Sequence, residues 1–138
     1  MISSKKPTLA IDFDGTIVEN KYPKIGKPML FAFETLKKLQ LKGYILILWT
    51  YRSGRKLNEA VEFCQKNGIE FYAINRSYPE EEYSEKISRK IDADIFIDDR
   101  NVGGFLGWPK IYAQLMGEDE ELKKLKKKRK GWLGLFKN

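Results

Sequence analysis

The stretch TLAIDFDGT, residues 8–16, joins a short apolar run to two carboxylates. The apolar run predicts a buried strand over Thr8–Asp12. Asp12 and Asp14 stand one residue apart at its end, and burial of a carboxylate is costly unless it is paired or bound to a metal. The stretch therefore predicts a strand whose carboxyl end holds a cation.

Apolar runs and amphipathic stretches alternate along the chain that follows. The predicted elements are strands over residues 44–49, 69–74 and 93–98 and helices over about 28–42 and 54–68. Residues 75–90 are expected to form a loop with a short helix, and a glycine-rich loop and one or two helices follow the last strand. Continuous apolar strands alternating with helices predict a parallel sheet with helices on both faces, a three-layer, Rossmann-like α/β fold.

Polar residues stand at the ends of three predicted strands. Asp12, Thr50 and Asp98 each occupy such a position, and Asp99 follows directly. The carboxyl ends of parallel strands form the ligand-binding edge of a sheet of this kind. Carboxylates converging there without His or Cys favour Mg²⁺, which in turn commonly binds phosphate oxygens. The chain has no histidine, so Ser-His and Cys-His catalytic pairs are excluded.

Composition predicts a soluble cytoplasmic protein. The longest apolar run, residues 44–49, is too short to span a bilayer, and the first residues do not resemble a secretory signal. The single cysteine, Cys64, cannot form an intramolecular disulfide, which suits a reducing compartment. At helical spacing with its apolar neighbours, Cys64 is expected to fill the core.

Charge divides the chain into a domain over residues 1–122 and a tail over residues 123–138. The first part carries 18 basic and 19 acidic residues, whereas the tail carries 8 basic residues and no acidic ones. Lysines next to Trp132 and Phe136 are suited to an anionic membrane surface or to nucleic acid phosphates. A solvated tail without a partner is the alternative interpretation.

Four elements in order resemble the haloacid dehalogenase superfamily. They are DFDGT at residues 12–16 with its preceding strand, Thr50 in ILWT, a lysine, and FIDD at residues 96–99. The sequence RKIDADIFIDDRNVGG resembles small bacterial members of the superfamily that have no cap domain. Neither interval between the motifs is long enough to contain such a domain. The segment VENKYPKIG, residues 18–26, is expected at most to form a small flap.

The resemblance implies a Mg²⁺-dependent phosphohydrolase that works through an aspartyl phosphate. Asp12 would be the nucleophile, and Asp14 the general acid and base. The metal would be held by side-chain oxygens of Asp12 and Asp98 and by the backbone carbonyl of Asp14, and Asp99 would act on it directly or through a water molecule. The catalytic lysine would be Lys90, which directly precedes the last strand in the family pattern, with Lys86 as the alternative.

The remaining polar residues near the strand ends are expected to contact the substrate. Thr50 would hold a phosphate oxygen. Arg52 and Arg100 are interpreted as substrate-binding residues, although each would equally suit an ion pair with a neighbouring carboxylate. The same two interpretations apply to Asn75 and Arg76.

Two other functions compete with the phosphohydrolase. One is a receiver-like domain that accepts a phosphoryl group, although a receiver would have its acidic pair after the first strand. The other is a non-catalytic anion-binding module that uses the basic tail. For the hydrolase, the expected partner is a phosphorylated substrate, either a small molecule or a macromolecule. An uncapped site is open to solvent, which implies that the substrate is large enough to cover it or that a partner in a homo-oligomer supplies the lid.

Overall fold

The computed structural model describes residues 5–135. It contains four strands and three helices, which in chain order are β1 (Thr8–Ile11), α1 (Ala32–Leu41), β2 (Ile45–Leu48), α2 (Gly54–Lys66), β3 (Ala73–Ile74), β4 (Ile95–Ile97) and α3 (Trp108–Leu135). Each strand lies inside one of the four apolar runs, which confirms the strands predicted from the sequence.

The strands form one parallel sheet in the order β3-β2-β1-β4. β1 is central, and Ala10 lies opposite Ile47 on one side and Phe96 on the other. The carboxyl ends of β1, β2 and β4 are therefore neighbours. This arrangement brings the residues after Ile11, Leu48 and Ile97 to one edge of the sheet.

The parallel α/β class is confirmed, and the two faces of the sheet are covered differently. One face packs against all three helices, through residues such as Leu36 of α1, Cys64 of α2 and Trp108 of α3. Cys64 is buried there, as predicted. On the opposite face, Ala10 and its neighbours pack against Ile91 from the connection between β3 and β4. Among the described residues, this second layer is irregular chain where a helix was expected.

The handedness of parallel connections explains this division. The path from β1 through β2 to β3 moves in one direction along the sheet, so right-handed connections place α1 and α2 on the same face. The path from β3 to β4 returns past β1, and a right-handed connection then lies on the opposite face. Residues 75–90 form turns there, and the short helix expected among them is not formed.

Helix α1 begins four residues later than predicted, because Pro28 belongs to a small hairpin. Val18 pairs with Pro28 in an antiparallel bridge. The N–H of Glu19 donates to the carbonyl of Lys27 at 2.8 Å, and the N–H of Met29 donates to the carbonyl of Ile17 at 2.8 Å. We call residues 17–29 the hairpin. It contains the segment expected to form a flap.

The strand predicted over residues 69–74 is reduced to β3. The N–H of Ile69 donates to the carbonyl of Cys64 at 2.9 Å, and Gly68 has a φ of +86°. Such bonds satisfy the last carbonyls of a helix. Ile69 therefore belongs to the cap that ends α2 and does not begin the strand. Only Ala73 and Ile74 are left to pair with β2.

The last helix runs without a break through the domain boundary predicted at residue 122. Its first two turns pack into the core through Trp108, Ile111 and Leu115. Leu125 and Lys128, farther along, are exposed. In residues 5–135, none of the helices has the length and hydropathy that a bilayer crossing requires. The tail residues 136–138 lie outside the described residues.

Candidate active site

An open cleft of about 710 Å³ lies at the carboxyl edge of the sheet. The residues that line it come from the hairpin and from the loops after β1, β2 and β4, and they are Asp12, Asp14, Asn20, Tyr22, Trp49, Thr50, Tyr51, Asp98 and Arg100. Five of the predicted site residues are therefore brought together, namely Asp12, Asp14, Thr50, Asp98 and Arg100.

Three carboxylates converge at this edge of the sheet, and two of them, Asp12 and Asp98, line the cleft. Asp12, Asp98 and Asp99 each offer one oxygen, and these oxygens lie within 4.8 Å of one another. Within residues 5–135, Oδ1 of Asp99 is buried and lacks a hydrogen-bond partner. An all-oxygen donor set with an unsatisfied buried oxygen fits a hard divalent cation such as Mg²⁺. The residues predicted as side-chain ligands thus have the chemistry and the spacing that the ion requires.

The environment of Asp12 disfavours its charge. Burial is the main cause, followed by a hydrogen bond with the Asp99 side chain and the negative charges of Asp98 and Asp99; together they raise the pKa of Asp12 from 3.8 to about 8. A bound cation would act in the opposite direction, because a nearby positive charge stabilises a carboxylate.

Gly15 allows Asp99 to approach the loop after β1. Its φ is +87°, a conformation that favours glycine, and a Cβ there would lie against Oδ2 of Asp99 and 2.6 Å from its Cγ. The glycine of the DFDGT motif is therefore required for close packing of two strand-end loops.

We expect Gly15→Ala to abolish detectable Mg²⁺ binding, because the added methyl group must displace the Asp99 carboxylate from the triad. Gly103→Ala is the matched control, since Gly103 has a φ of +92° and open space around its Cβ position. The left-handed backbone conformation should lower the free energy of unfolding of both variants by about 1–2 kcal/mol, and urea unfolding measures this loss. Calorimetric titration with Mg²⁺ should then separate them, and equal Mg²⁺ affinity in both would contradict the role assigned to Gly15.

A buried tryptophan anchors the loop that carries Asp12. Trp108 is fully buried at the start of α3, and its Nε1 donates to the carbonyl of Thr16 at 2.8 Å. The Thr16 hydroxyl in turn donates to Oδ2 of Asp12 at 3.3 Å. Sequence reasoning missed Trp108, because a contact across 92 residues leaves no local pattern.

Asp14 is held by an arginine from the loop after β2. Nε of Arg52 donates to Oδ2 of Asp14 at 2.8 Å, and one terminal nitrogen donates to Oδ1 at 2.8 Å. The Asp14 carboxylate raises the pKa of Arg52. The carboxylate of Asp14 thus pairs with Arg52 and is not one of the three that converge, which is compatible with the backbone contact that the resemblance implied.

The substrate-binding role predicted for Arg52 is not supported. Arg52 is only 1% exposed, and its remaining donors bond the carbonyls of Pro23, Lys24 and Lys56. All five of its N–H groups are thus used, and its guanidinium lies 5.2 Å from the ring centroids of both Phe13 and Tyr22. Of the two interpretations offered by the sequence, the ion pair is the one observed.

Asn75 fixes the turn that carries Thr50. Its Oδ1 accepts the N–H of Thr50 at 2.8 Å, and its Nδ2 donates to the carbonyl of Arg52 at 3.4 Å. Asn75 has a φ of +54°, which asparagine tolerates better than most residues. Its function is to support the cleft, whereas a substrate contact was one of the interpretations offered by the sequence.

The other predicted cations differ in position. Arg100 lines the cleft, and its guanidinium has no hydrogen-bond or ion-pair partner within residues 5–135. Lys90 is exposed, with Nζ 5.7 Å from the Phe96 ring centroid, and is not among the cleft-lining residues. Lys86 and Arg76 are likewise absent from that lining. The described structure thus places neither candidate lysine against the carboxylates.

Fold and cleft together define a parallel α/β protein with a carboxylate-rich site at the carboxyl edge of its sheet. A solved structure of a conserved protein from Bacteroides thetaiotaomicron matches the chain with a TM-score of 0.77 and 54% sequence identity, over 81% of this chain and 91% of that one. This protein belongs to the same family as that conserved protein. Neither a known family model nor a curated protein matches the sequence.

Proposed function

We propose that this protein is a Mg²⁺-dependent phosphomonoesterase, a capless member of the haloacid dehalogenase superfamily that works through an aspartyl phosphate on Asp12. The observation that carries the proposal is the convergence of the Asp12, Asp98 and Asp99 oxygens within 4.8 Å, beside an open cleft that Asp12 and Asp98 line. Asp14 and Thr50 line the same cleft, in the order along the chain that the superfamily resemblance implies.

In this proposal, Asp12 supplies the nucleophile. A carboxylate oxygen of Asp12 attacks phosphorus, an O–P bond forms, and the bond from phosphorus to the alcohol oxygen breaks. Asp14 donates a proton to that leaving oxygen. Water then attacks the phosphorus of the aspartyl phosphate, Asp14 takes the proton of the water, and inorganic phosphate leaves with Asp12 restored.

The cations and hydroxyls around the triad have supporting functions. Asp12, Asp98 and Asp99 would hold Mg²⁺, which offsets the negative charges of the carboxylates and the phosphate when bound. Thr50 and the unpartnered guanidinium of Arg100 would hold the other phosphate oxygens. The two hydrogen bonds that Asp14 accepts from Arg52 fix the orientation of its carboxylate in the cleft.

Phosphate release from a generic aryl phosphate and from a panel of phosphorylated metabolites tests the proposal. We expect release in Mg²⁺, its loss in a chelator, and its return when Mg²⁺ is restored. Absence of Mg²⁺-dependent release from every compound would contradict the proposed function.

Mg²⁺ should stabilise the protein more at pH 8.5 than at pH 6. The pKa of Asp12 is about 8, above its ordinary value, so its contribution to the stability of the metal-free protein is fully present below about pH 4 and lost as the pH rises through 8. Protons also compete with Mg²⁺ for Asp12 below that pKa. The increase in melting temperature on adding Mg²⁺ measures both effects, and a larger increase at pH 6 would contradict this account.

The lysine of the mechanism stays a prediction. The resemblance implies Lys90 before Lys86, and the loss of activity in Lys90→Ala relative to Lys86→Ala tests that order. A receiver-like function is disfavoured by topology, because the strand order 3-2-1-4 is that of the Rossmann arrangement and differs from the 2-1-3-4-5 order of flavodoxin-like receivers. No observation specifically favours the anion-binding module.

A further inference from the structure

Two tyrosines stand at the rim of the cleft. Tyr51 is 90% exposed and Tyr22 is 41% exposed, and their ring centroids are 6.3 Å apart in an edge-to-face arrangement. A single exposed aromatic residue on a surface needs no explanation. Here two of them line the same cleft as Asp12 and Asp98 of the carboxylate triad, so they lie beside the space that a ligand of the triad would occupy.

The backbone at Tyr51 is fixed on both sides. Thr50 is bonded to Asn75, and Arg52 is buried with all of its donors used. Tyr51 lies between these two anchored residues, and its ring is directed outward. The exposed ring is therefore presented by a preorganised turn, which lowers the entropic cost of a stacking contact.

Tyr22 is also held in place from within the protein. Nζ of Lys56 lies 4.9 Å from the centroid of its ring and donates to its hydroxyl at 3.3 Å. The guanidinium of Arg52 lies 5.2 Å from the same centroid. The hairpin thus carries an aromatic ring that is held in position. The same guanidinium that contacts this ring also pairs with Asp14, the proposed acid–base residue.

With a divalent cation on the carboxylate triad, the cleft would suit a small anionic ligand. The guanidinium of Arg100, which lines the cleft, would add a second positive charge. The volume of the cleft, about 710 Å³, falls within the range of small-molecule pockets. Residues 1–122 carry nearly equal numbers of acidic and basic side chains and hence little long-range attraction for a polyanion.

We propose that the cleft takes a phosphomonoester whose alcohol carries a flat heteroaromatic ring, in chemical class a nucleoside monophosphate, with the ring stacked on Tyr51 beside Tyr22. This assignment of a substrate class rests on the proposed function, because it assumes that the phosphate is bound at the triad. The same group, a phosphate next to a base, also occurs at the phosphorylated end of an oligonucleotide.

Comparison of adenosine 5′-monophosphate with ribose 5-phosphate isolates the ring, because the two share the sugar and the phosphate. We expect kcat/KM to be about tenfold to a hundredfold higher for the nucleotide, the range that stacking of one base supplies. The ratio should fall toward one in Tyr51→Ala and persist in Tyr51→Phe. Tyr72→Ala is the control. Tyr72 is an exposed tyrosine that does not line the cleft, and its N–H donates to the carbonyl of Leu46 in β2.

Binding to the Asp12→Asn protein separates this inference from the proposed function. In Mg²⁺, calorimetry should show the same preference for the nucleotide without any turnover. A preference in binding with no phosphate release by wild type would support the ring site and contradict the phosphatase. Phosphate release with equal kcat/KM for adenosine 5′-monophosphate and ribose 5-phosphate would overturn the ring site and leave the phosphatase intact. A 5′-phosphorylated dinucleotide distinguishes a free nucleotide from the phosphorylated end of an oligonucleotide. A higher kcat/KM for the dinucleotide than for the mononucleotide would assign the oligonucleotide end as the substrate.

Discussion

Asp12→Asn should lower phosphate release by about three orders of magnitude or more. The substitution keeps the shape of the side chain and one side-chain oxygen, and it replaces the anion that attacks phosphorus with a neutral amide. In the proposed mechanism, the covalent step provides a large part of the rate enhancement. Each tenfold loss of rate corresponds to about 1.36 kcal/mol of activation free energy, and we expect several such factors to be lost. Initial rates at saturating Mg²⁺ measure the loss.

Asp92→Asn is the matched control for this substitution. Asp92 is an exposed carboxylate on the irregular connection before β4, and among the described contacts its backbone N–H bonds the Ser77 hydroxyl. It should retain wild-type activity. Far-UV circular dichroism and urea unfolding show whether both variants fold. An Asp12→Asn protein that folds and turns over at near wild-type rate would refute Asp12 as nucleophile.

Arg52→Ala should lower the free energy of unfolding by about 3–5 kcal/mol, the cost of removing one partner from a buried ion pair. Arg52 is fully buried in its side chain, whereas Asp14 is 14% exposed. Its removal leaves Asp14 without its cation and the carbonyls of Pro23, Lys24 and Lys56 without this donor. Urea unfolding in the absence of Mg²⁺ measures the loss.

Arg55→Ala provides the control, three residues along the same chain. The side chain of Arg55 is 92% exposed and pairs with Glu59 one helical turn away. Exposed pairs of this kind contribute about 0.5 kcal/mol or less. Arg52→Lys should be nearly as destabilising as Arg52→Ala, because one ammonium cannot replace five donors in a fixed plane. A loss at position 52 no larger than that at position 55 would contradict the structural role of the guanidinium.

Strands and their ends were predictable because the signals for them are local. A continuous apolar run followed by a carboxylate specifies both a buried strand and a polar residue at its end, as at Ile11–Asp12 and Ile97–Asp98. Parallel pairing then brings those ends to one edge of the sheet. The carboxylate triad thus follows from local patterns combined with one topological rule.

The supporting contacts were not predictable, because each depends on residues far apart in the chain. Nothing next to Arg52 indicates that its donors would be used by Asp14 and the hairpin, 28 to 38 residues earlier. Pro28 is compatible with a helix start, and only its bridge to Val18 shows that it belongs to the hairpin. The position of Lys90 also depends on the irregular connection before β4, where neither apolar periodicity nor a helix restricts the path.

Direct detection of a phosphoryl group on Asp12 tests the central claim. The full-length protein is mixed with Mg²⁺ and a substrate that it turns over, quenched in acid within a single turnover, and digested, and the peptides are analysed by mass spectrometry. We expect the added mass of one phosphoryl group on the peptide that contains Asp12, and its absence from the same peptide in Asp12→Asn. Rapid turnover with no phosphorylated peptide, or with the phosphoryl group on another residue, would contradict the account.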